Sequence, residues 1–319
     1  ITWGTAFEKE LDNNMSEAFE NMKAMRPEIA EQLARENPNW SGNYIYDSIT
    51  KTLYPEGYGP TNPEVLRPAF LSAYTGKSAS KSKYDYFPTI PLPNWRVTYT
   101  GLSRIEFISQ YIQKITLTHA YRSTYSINSF ATNVNFEELN GYANAQQQFS
   151  TDYIPRYDFG NISIAEQFAP LIGIDMTWHN SLFSKIEYKK SRNLNLSFAN
   201  NQVTEVKSNE FILGLGYRIK NLAFSIKSLG GGGRKTRMES DVDIKVDFSI
   251  RSNKTILRRI DEDVNQVSAG QKIMSINTSI DYMLNQNLSI RLFFDKIIND
   301  PFVSNQYKNS TTNGGISLR

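Results

Sequence analysis

The two histidines are the side chains of this sequence best suited to acid–base or metal chemistry. His119 alternates in phase with Leu117 and Tyr121, and His179 follows Trp178 at a turn in the pattern. A catalytic dyad or a zinc site needs several such groups to converge. Lone histidines near strand ends are usually structural, so we expect no catalytic and no metal-binding residues and a protein that is not an enzyme.

A glycine-rich stretch resembles a phosphate-binding loop. It reads GGGGRKT at 230–236. A P-loop requires a glycine immediately before its Lys-Thr pair and a helix directly after it. Arg234 occupies the glycine position, and no helical pattern follows. We therefore expect a flexible loop, and we expect no cofactor.

The remaining polar motifs also have structural interpretations. Arg258–Arg259 and Asp261–Glu262–Asp263 place opposite charges side by side, which is typical of a solvated loop; contact with cargo or with a partner is the second interpretation. The sequons at Asn195 and Asn277 fit the polar faces of strands. The acidic clusters lack the spacing of a calcium-binding EF-hand loop.

Composition limits the classes of protein that this chain can form. Its 319 residues suffice for one large domain or two ordinary ones. The net charge of +3 is too small to indicate a nucleic-acid partner, and the lack of cysteine excludes disulfides and thiolate metal sites. No run approaches the roughly 18 apolar residues of a membrane helix. A membrane β-barrel is compatible, because only alternate residues of its strands face lipid.

Residues 1–92 differ from the rest of the chain. Residues 1–50 carry nine acidic and four basic side chains, whereas the remainder carries 23 and 31. Three- and four-residue spacing over 7–22 predicts an amphipathic helix, and Pro27 fits the first turn of a second one. The Pro-, Gly- and Tyr-rich stretch that follows predicts irregular structure. We expect a cap or an insertion, bounded by the prolines of DYFPTIPLPNW, before a second region at 93–319.

From Trp95 onward the apolar residues recur with a period of two, which predicts β-strands. Several runs are longer than the five or six residues of an ordinary globular strand. We therefore predict an all-β region of about eleven strands. Their predicted ranges are 94–101, 113–129, 158–178, 182–199, 203–219, 221–229, 237–251, 254–262, 271–284, 287–297 and 309–319.

Pairing these strands through turns tests whether their apolar faces agree. Turns at Lys220–Asn221, near 200–202 and at Asn285–Asn287 all keep apolar side chains opposite apolar ones. In the second hairpin the apolar band ends at a similar height on both arms, which favours a slab of defined thickness. The opposite pairs are Leu222 with Ile219, Leu182 with Ile219, Ile186 with Leu215, Tyr188 with Leu213, Leu284 with Leu288, Tyr282 with Ile290 and Ile280 with Leu292.

The stretch DVDIKVDFSI at 241–250 alternates polar and apolar side chains without interruption. In a strand these residues point to opposite faces, so the charged face meets water and the apolar face meets either a core or lipid. The side chains that we assign to lipid are Val242, Ile244, Val246, Phe248, Phe211, Leu213, Leu215, Tyr217, Ile290 and Leu292. Those that we assign to an aqueous lumen are Asp243, Lys245, Asp247, Asp281 and Arg291.

A soluble all-β domain with sheets packed face to face is the plain alternative. Strand length, the common band height and the connections favour lipid instead. Short turns are predicted at one end of the strands, and long connections are predicted at the other, as in outer-membrane barrels. The predicted long connections are 130–157, 230–237, 262–270 and 298–308. An odd number of strands leaves open edges, which cannot face lipid, so we expect one side of a larger barrel.

Several long blocks of the sequence carry a family resemblance. They are PLPNWRVTYTGLS (91–103), LTHAYRSTYSINSF (117–130), YKKSRNLNLSFANNQVTEVKSNEFILGLGYRIKN (188–221), GGGGRK (230–235), IRSNKTILRRID (250–261) and DKIINDPFVSNQYKNSTTNGGISLR (295–319). In this order they resemble the C-terminal part of the SprA/Sov family, the giant outer-membrane translocons of the type IX secretion system in Bacteroidetes. The resemblance spans nearly the whole chain and is least distinctive in residues 1–92.

The resemblance implies a very large antiparallel transmembrane β-barrel in the bacterial outer membrane, around a conduit wide enough for folded cargo. Cargo proteins of this family carry a C-terminal secretion domain and include gliding-motility adhesins and proteases. The implied partners are a PorV-type β-barrel protein at a lateral opening, a periplasmic plug protein, an energised inner-membrane motor and the lipid bilayer. Residues 1–92 could then form a gate or a contact for the plug. An outer-membrane receptor or solute channel is the alternative function.

Both ends of the sequence carry expectations. The chain begins at Ile1 without Met or a leader pattern, so we expect part of a longer or processed chain. Outer-membrane barrels usually finish on an aromatic or apolar residue, whereas this chain stops at Arg319. Ile316 and Leu318 alternate correctly, so we expect a few further residues, with an apolar side chain at the next outward position.

Overall fold

We describe the fold from a computed structural model. The structure describes residues 3–8, 12–81, 84–87, 93–148, 150–227, 235–262, 264–285, 288–303 and 307–318. Several predictions fall outside these residues and stay predictions. They concern the glycine-rich stretch 230–234, the proline-rich stretch 88–92, turn residues 286–287, Asp263 and Arg319.

Helices occupy mainly the first part of the chain, and long strands occupy the rest. The helices are α1 (Trp3–Ala6), α2 (Glu17–Glu36), α3 (Pro63–Tyr74) and α4 (Glu106–Ser109), with 3-10 turns at Asp12–Asn14, Ala79–Lys81 and Gly101–Arg104. In chain order the strands are β1 (Tyr44–Asp47), β2 (Thr52–Pro55), β3 (Trp95–Tyr99), β4 (Ile112–Asn128), β5 (Ala131–Thr132), β6 (Glu138–Leu139), β7 (Tyr142–Ala143), β8 (Tyr157–Asp158), β9 (Asn161–Trp178), β10 (Leu182–Ser197), β11 (Gln202–Lys227), β12 (Lys235–Arg259), β13 (Asn265–Asn285), β14 (Leu288–Pro301) and β15 (Asn309–Leu318). Among the described residues, no helix combines the length and the apolarity needed to cross a membrane.

The long strands form one antiparallel sheet, which confirms the predicted β-rich fold. The sheet has nine strands in the order β15-β14-β13-β12-β11-β10-β9-β4-β3. Neighbours in the sheet are neighbours in sequence, apart from the small strands β5 to β8, which occupy the connection between β4 and β9. Within the described ranges the sheet is open, with β3 and β15 at its edges.

The sheet has nine strands rather than the predicted eleven. The predicted strands 203–219 and 221–229 form the single strand β11, and the predicted strands 237–251 and 254–262 form the single strand β12. The predicted hairpin at Lys220–Asn221 is therefore wrong. The β11 strand continues through this point with a break in register between Ile219 and Leu222. Asn221 adopts a φ of 53°, and its backbone N–H donates to the Asp241 carboxylate at 3.1 Å. Asparagine tolerates positive φ in bulges as well as in turns, so its presence did not distinguish the two.

The other two predicted hairpins exist. In the β13–β14 pair, Ile280 lies opposite Leu292 and Tyr282 opposite Ile290, as predicted, although Asn285 rather than Leu284 lies opposite Leu288. The β10–β11 register differs from the prediction by two residues. Its observed pairs are Leu182 with Tyr217, Ile186 with Leu213 and Tyr188 with Phe211. A shift of two leaves every side chain on its face, so the apolar pattern could not choose between these registers.

The short connections were predicted at one end of the strands and the long ones at the other, and the structure agrees only in part. The turn at 179–181 lies at one end, and the connections 129–160 and 302–308 lie at the other, as predicted. The β11 strand ends at Lys227 and β12 begins at Lys235, both at the end predicted to have only short turns, and a short turn at 198–201 lies at the opposite end. The prediction failed here because β11 does not turn back at its bulge.

The α2 helix is a single helix rather than the predicted two. Positive φ angles at Asn13 and Asn14 interrupt the helical pattern ahead of it. Pro27 lies inside the helix and lacks the N–H that would bind the Lys23 carbonyl. The Arg26 side chain donates to that carbonyl instead, with an Nε–O distance of 3.3 Å. This replacement explains how the helix continues through the proline.

The α3 helix was predicted as irregular chain. The Asn62 side chain caps it by accepting from the Glu64 N–H at 2.9 Å, and Pro63 occupies its first turn. These residues are a helix start signal, but Pro68 and the surrounding glycines and tyrosines obscured it. The apolar residues of α3 at three- and four-residue spacing are buried, including Val65, Leu66, Ala69, Phe70 and Ala73.

The helices pack on one end of one face of the sheet, so residues 1–92 and the strands share a core. The main hydrophobic cluster joins fully buried side chains from α2 and α3 to the ends of three strands. From the helices it takes Phe19, Met22, Ile29, Leu66 and Phe70, and from the strands Ile162, Ile164, Leu194, Leu196 and Val203.

Candidate functional site

The register gives the sheet two chemically different faces. Residues opposite one another on neighbouring strands share a face. One continuous row runs across five strands through Tyr217, Ile244, Ile280, Leu292 and Ile316. The adjacent row, on the opposite face, runs through Gly216, Lys245, Ser279, Phe293 and Gly315. The alternation predicted within single strands is therefore aligned between strands.

The apolar face contains all ten side chains that were assigned to lipid. They are Phe211, Leu213, Leu215, Tyr217, Val242, Ile244, Val246, Phe248, Ile290 and Leu292, and with their same-face neighbours they form what we call the apolar band. Leu215 is 45% exposed, Tyr217 43% and Leu292 41%, whereas Val242 is buried. Soluble monomers rarely expose a contiguous apolar surface of this extent.

The band ends at the same height on neighbouring strands, as predicted. It covers the nine-residue stretches Phe211 to Ile219, Val242 to Ile250 and Met274 to Tyr282, about 27 Å along each strand at ~3.3 Å per residue. The next row toward the helices is polar and consists of Lys190, Asn209, Ser252, Lys272 and Asp300. On β14, Lys296 interrupts the band opposite Ile276.

The polar face contains the five residues that were assigned to a lumen. Asp243, Lys245, Asp247, Asp281 and Arg291 alternate with the band along β12, β13 and β14. The Arg218 guanidinium donates to both carboxylate oxygens of Asp243, at 2.6 and 3.0 Å, and Arg291 lies 3.6 Å from Asp281. Lys245, Asp247 and Arg291 line one shallow groove. Apolar side chains also occur on this face, among them Phe183, Ile212, Ile273 and Phe293.

Two buried ion pairs, which the sequence analysis did not predict, lie on the same face as the apolar band, where the helices cover it. Arg192 contacts Glu166 at 2.7 Å, and both side chains are almost fully buried. Arg192 also donates to the backbone carbonyl of Thr5, and the Tyr121 hydroxyl donates to Glu166 at 2.7 Å. These bonds fasten the start of the described chain to the sheet.

The second pair joins Arg258 to Glu205 at 2.7 Å. Arg258 is fully buried and also donates to the backbone carbonyl of Asn14. The predicted solvated loop is therefore wrong for Arg258, although its neighbour Arg259 is exposed and pairs with Glu262. Arg258 is buried because its side chain points from β12 toward the helices, and sequence alternation carried no information about that cover.

The histidines make structural hydrogen bonds and do not form a common site. His119 Nδ1 lies 2.7 Å from the Leu171 carbonyl, and His179 Nε2 lies 2.9 Å from the Ser109 carbonyl. His179 thus joins the turn before β10 to the end of α4. Among the described residues, no group of three or more His, Cys, Asp or Glu side chains could hold a metal ion.

Asp152 is a carboxyl outside the long strands whose pKa is shifted by its surroundings. Burial raises the pKa of its carboxyl above the usual range, and the N–H of Gly59, which donates to it at 2.6 Å, opposes this shift. A Cβ on Gly59 would lie 2.7 Å from the Asp152 carboxylate, so a side chain at this position would require the carboxylate to shift. Asp152 therefore holds the connection before β9 against the segment between β2 and α3.

No family model and no curated protein matches the chain. The likeness of its sequence blocks to the SprA/Sov family therefore stays a prediction.

Proposed function

We propose that this chain forms part of the wall of an outer-membrane β-barrel that conducts folded proteins in type IX secretion, as its resemblance to the SprA/Sov family implies. The observation that supports this most directly is the registered pair of faces, apolar on one side and charged on the other. In this proposal the apolar band faces lipid and the opposite face lines an aqueous conduit.

The dimensions of the band support a membrane location. Its nine residues per strand match the 9–11 residues with which a tilted strand crosses a bilayer. Tilted by about 40°, its ~27 Å length covers roughly 20 Å, close to the ~25 Å apolar height of outer-membrane barrels. Aromatic side chains lie near both edges, with Trp178, Tyr217 and Tyr282 toward one and Tyr188 and Phe211 toward the other. Such girdles mark the membrane interfaces of barrels.

The conduit itself acts passively. Asp243, Lys245, Asp247, Asp281 and Arg291 present both charge signs on the polar face, which keeps it hydrated and gives cargo of either charge no uniform surface to bind. Cargo with a C-terminal secretion domain would pass this wall. A PorV-type barrel and a periplasmic plug would control access to the conduit at its openings.

Residues 1–92 serve in this proposal as an outer cap rather than as an insertion into the conduit. The α2 and α3 helices pack on the face that carries the apolar band, beyond its end. They lie at the strand ends that also carry the long connection 129–160. A plug or gate inside the conduit would have to contact the opposite face.

Cysteine labelling tests the assignment of the faces, because these 319 residues contain no cysteine and the unsubstituted full-length protein gives the background labelling. Single Val246→Cys and Asp247→Cys variants of the full-length protein would be exposed to a charged maleimide in intact membranes. We expect rapid labelling at position 247 and protection at 246 until the membrane is dissolved and the protein unfolded. Equal labelling of the two positions would contradict the proposal.

A structure of the purified full-length protein tests the translocon function. The proposal requires a barrel well beyond 22 strands, with an interior free of a folded plug domain of its own chain. Export of a cargo protein should stop when the protein is depleted and resume when it is restored. A barrel of about 22 strands or fewer would indicate a receptor or a channel instead.

A further inference from the structure

Lysines from four consecutive strands meet where the apolar band ends beside the helices. Lys190 on β10 and Lys272 on β13 lie in one row, connected through Asn209 and Ser252. Lys207 on β11 and Lys254 on β12 lie opposite each other in the next row. With strands ~4.8 Å apart, the group spans about 14 Å of the sheet. We call Lys190, Lys207, Lys254 and Lys272 the lysine shelf.

The contacts of the shelf place these charges at an interface between apolar and polar surroundings. The Lys190 ammonium lies 4.6 Å from the centre of the Phe7 ring, and Phe7 is 45% exposed. Lys207 contacts Glu205 at 3.2 Å, and Lys254 donates to the Asn14 side chain at 2.6 Å. Lysine stems of this kind lie along apolar surface while their ammonium groups reach a polar layer.

Positive charge is concentrated in these rows of the described strands. The two rows contain five cations, Lys190, Arg192, Lys207, Lys254 and Lys272, and the carboxylates of Glu166 and Asp300. Glu205 and Arg258 lie in the rows beyond them. The described segment before α2 adds Glu8, which accepts from the Ala18 N–H at 3.0 Å, and the 3-10 turn that packs on β13 contains Asp12. Arg192, Lys207 and Lys254 lie directly opposite one another, which is unfavourable for like charges. Glu166 and Glu205 offset part of this repulsion through Arg192 and Lys207. A further anion would meet Lys190 and Lys272, whose row lies next to the apolar band.

We propose that the lysine shelf binds the phosphate groups of membrane lipids. This inference rests on the proposed function, since it takes the apolar band to face acyl chains. A lipid whose chains lie on the band would place its headgroup at the shelf. The opposite edge of the band carries uncharged side chains such as Trp178 and Tyr282, so the preference belongs to one leaflet. A free phosphate ion would use the charges but gain nothing from the adjoining band.

Native mass spectrometry of the full-length protein in detergent tests this site. The probes are phosphatidylglycerol and phosphatidylcholine, each titrated onto wild type and the Lys190→Gln/Lys272→Gln variant. We expect phosphatidylglycerol to bind the wild type more tightly, and the variant to lose roughly fivefold in affinity for each lysine removed. Binding of phosphatidylcholine should change little.

The matched control is Lys189→Gln/Arg251→Gln, which removes two charges at the same height from the opposite face, where Lys189 contacts Glu187 and Glu210. It should bind phosphatidylglycerol as the wild type does. An equal loss in the control, or no loss in the shelf variant, would overturn the proposal. Displacement of phosphatidylglycerol by an equal concentration of inorganic phosphate would also overturn it. If the double variant does not fold, Lys272→Gln alone carries the test, because Lys272 is exposed.

The cysteine labelling of Val246 separates the two proposals. If Val246→Cys is protected from labelling but lipid binding does not depend on the lysines, the lipid-binding proposal is refuted and the barrel-wall proposal is not. Labelling of Val246 in membranes would refute the barrel wall itself.

Discussion

Individual charged residues of this protein have environments that their sequence neighbours do not reveal. Arg258 and Arg259 are adjacent, yet the first is fully buried beside Glu205 and the second is exposed beside Glu262. A buried guanidinium that loses its carboxylate, or the reverse, leaves one charge uncompensated in a medium of low dielectric. An Arg–Glu ion pair therefore affects the free energy of unfolding very differently at these two positions.

Replacing Arg258 tests this difference. Arg258→Met should lower the free energy of unfolding by about 3–5 kcal/mol, because Glu205 stays buried without its main partner. Arg259→Met should cost under about 0.5 kcal/mol, as is usual for an exposed position. Urea denaturation in detergent micelles would measure both. The double variant Arg258→Met/Glu205→Leu should recover much of the loss; similar stability of the two single variants would contradict the interpretation.

Asp152 predicts a local pH dependence. Since burial raises its pKa in the folded state, the folded protein favours the protonated carboxyl. Stability contributed at this site should therefore increase as the pH falls through the raised pKa, and decrease as the pH rises. Hydrogen exchange of segment 57–62, corrected for its intrinsic rate, should show more protection near pH 4, about the unfolded pKa of Asp, than at pH 7.5.

The Asp152→Asn variant should remove this dependence while keeping an oxygen that accepts from Gly59. Asp158→Asn, at an exposed carboxylate, is the control and should leave the dependence unchanged. A pH response that persists in Asp152→Asn would show that another group is responsible.

At the scale of elements, the long strands differ from their sequence patterns mainly in where they end. The β12 strand runs through its predicted break at 252–253 because it stays paired with β11 and β13 on both sides. The β11 strand runs past Asn221 paired with β12, since its pairing with β10 ends at Tyr217. Asn221 supplies the positive φ of a bulge, and Asn253 accepts from Ser208 at 2.6 Å within the β12 stretch predicted as a break. The faces of these strands nevertheless follow the alternation in sequence.

Adjacent residues of β12 test the faces energetically. Val246→Arg should impair membrane assembly and cost roughly 2–4 kcal/mol if the residue lies near the bilayer midplane. Asp247→Asn, on the opposite face, should leave assembly nearly unchanged. Heat-modifiable mobility in gel electrophoresis of membrane fractions would report assembly of the full-length protein. Equal tolerance of both substitutions would place the apolar band against something other than lipid.

At the scale of the whole molecule, one face of the sheet has two environments. Toward one end it is covered by α2 and α3 around a hydrophobic core, and beyond the charged rows it is the exposed apolar band. Both parts contain alternating apolar residues, but helices pack on only the first. We therefore expect that destabilising the packing of α2 and α3 leaves the structure of the apolar band unchanged.

Phe70→Ala tests this independence. Phe70 is fully buried in the core that joins α3 to the strand ends, so the substitution should cost about 3–5 kcal/mol. Hydrogen exchange should accelerate in 162–164 and 194–196 but not in 242–250. Phe107→Ala is the control, because Phe107 is 74% exposed. Accelerated exchange throughout β12 would show that cap and band form a single cooperative unit.

The sequence by itself determined the β-rich fold, the two faces of the long strands and the opposition of Ile280 to Leu292. Period-two alternation fixes these features locally, because side chains on a strand must point to alternate sides. Only the tertiary structure decided the β10–β11 register, the continuity of β11 and β12, the α3 helix and the burial of Arg258. These depend on which distant segment lies opposite or above a residue. Alternation carries no information about such partners, since a two-residue shift or an added cover leaves the pattern unchanged.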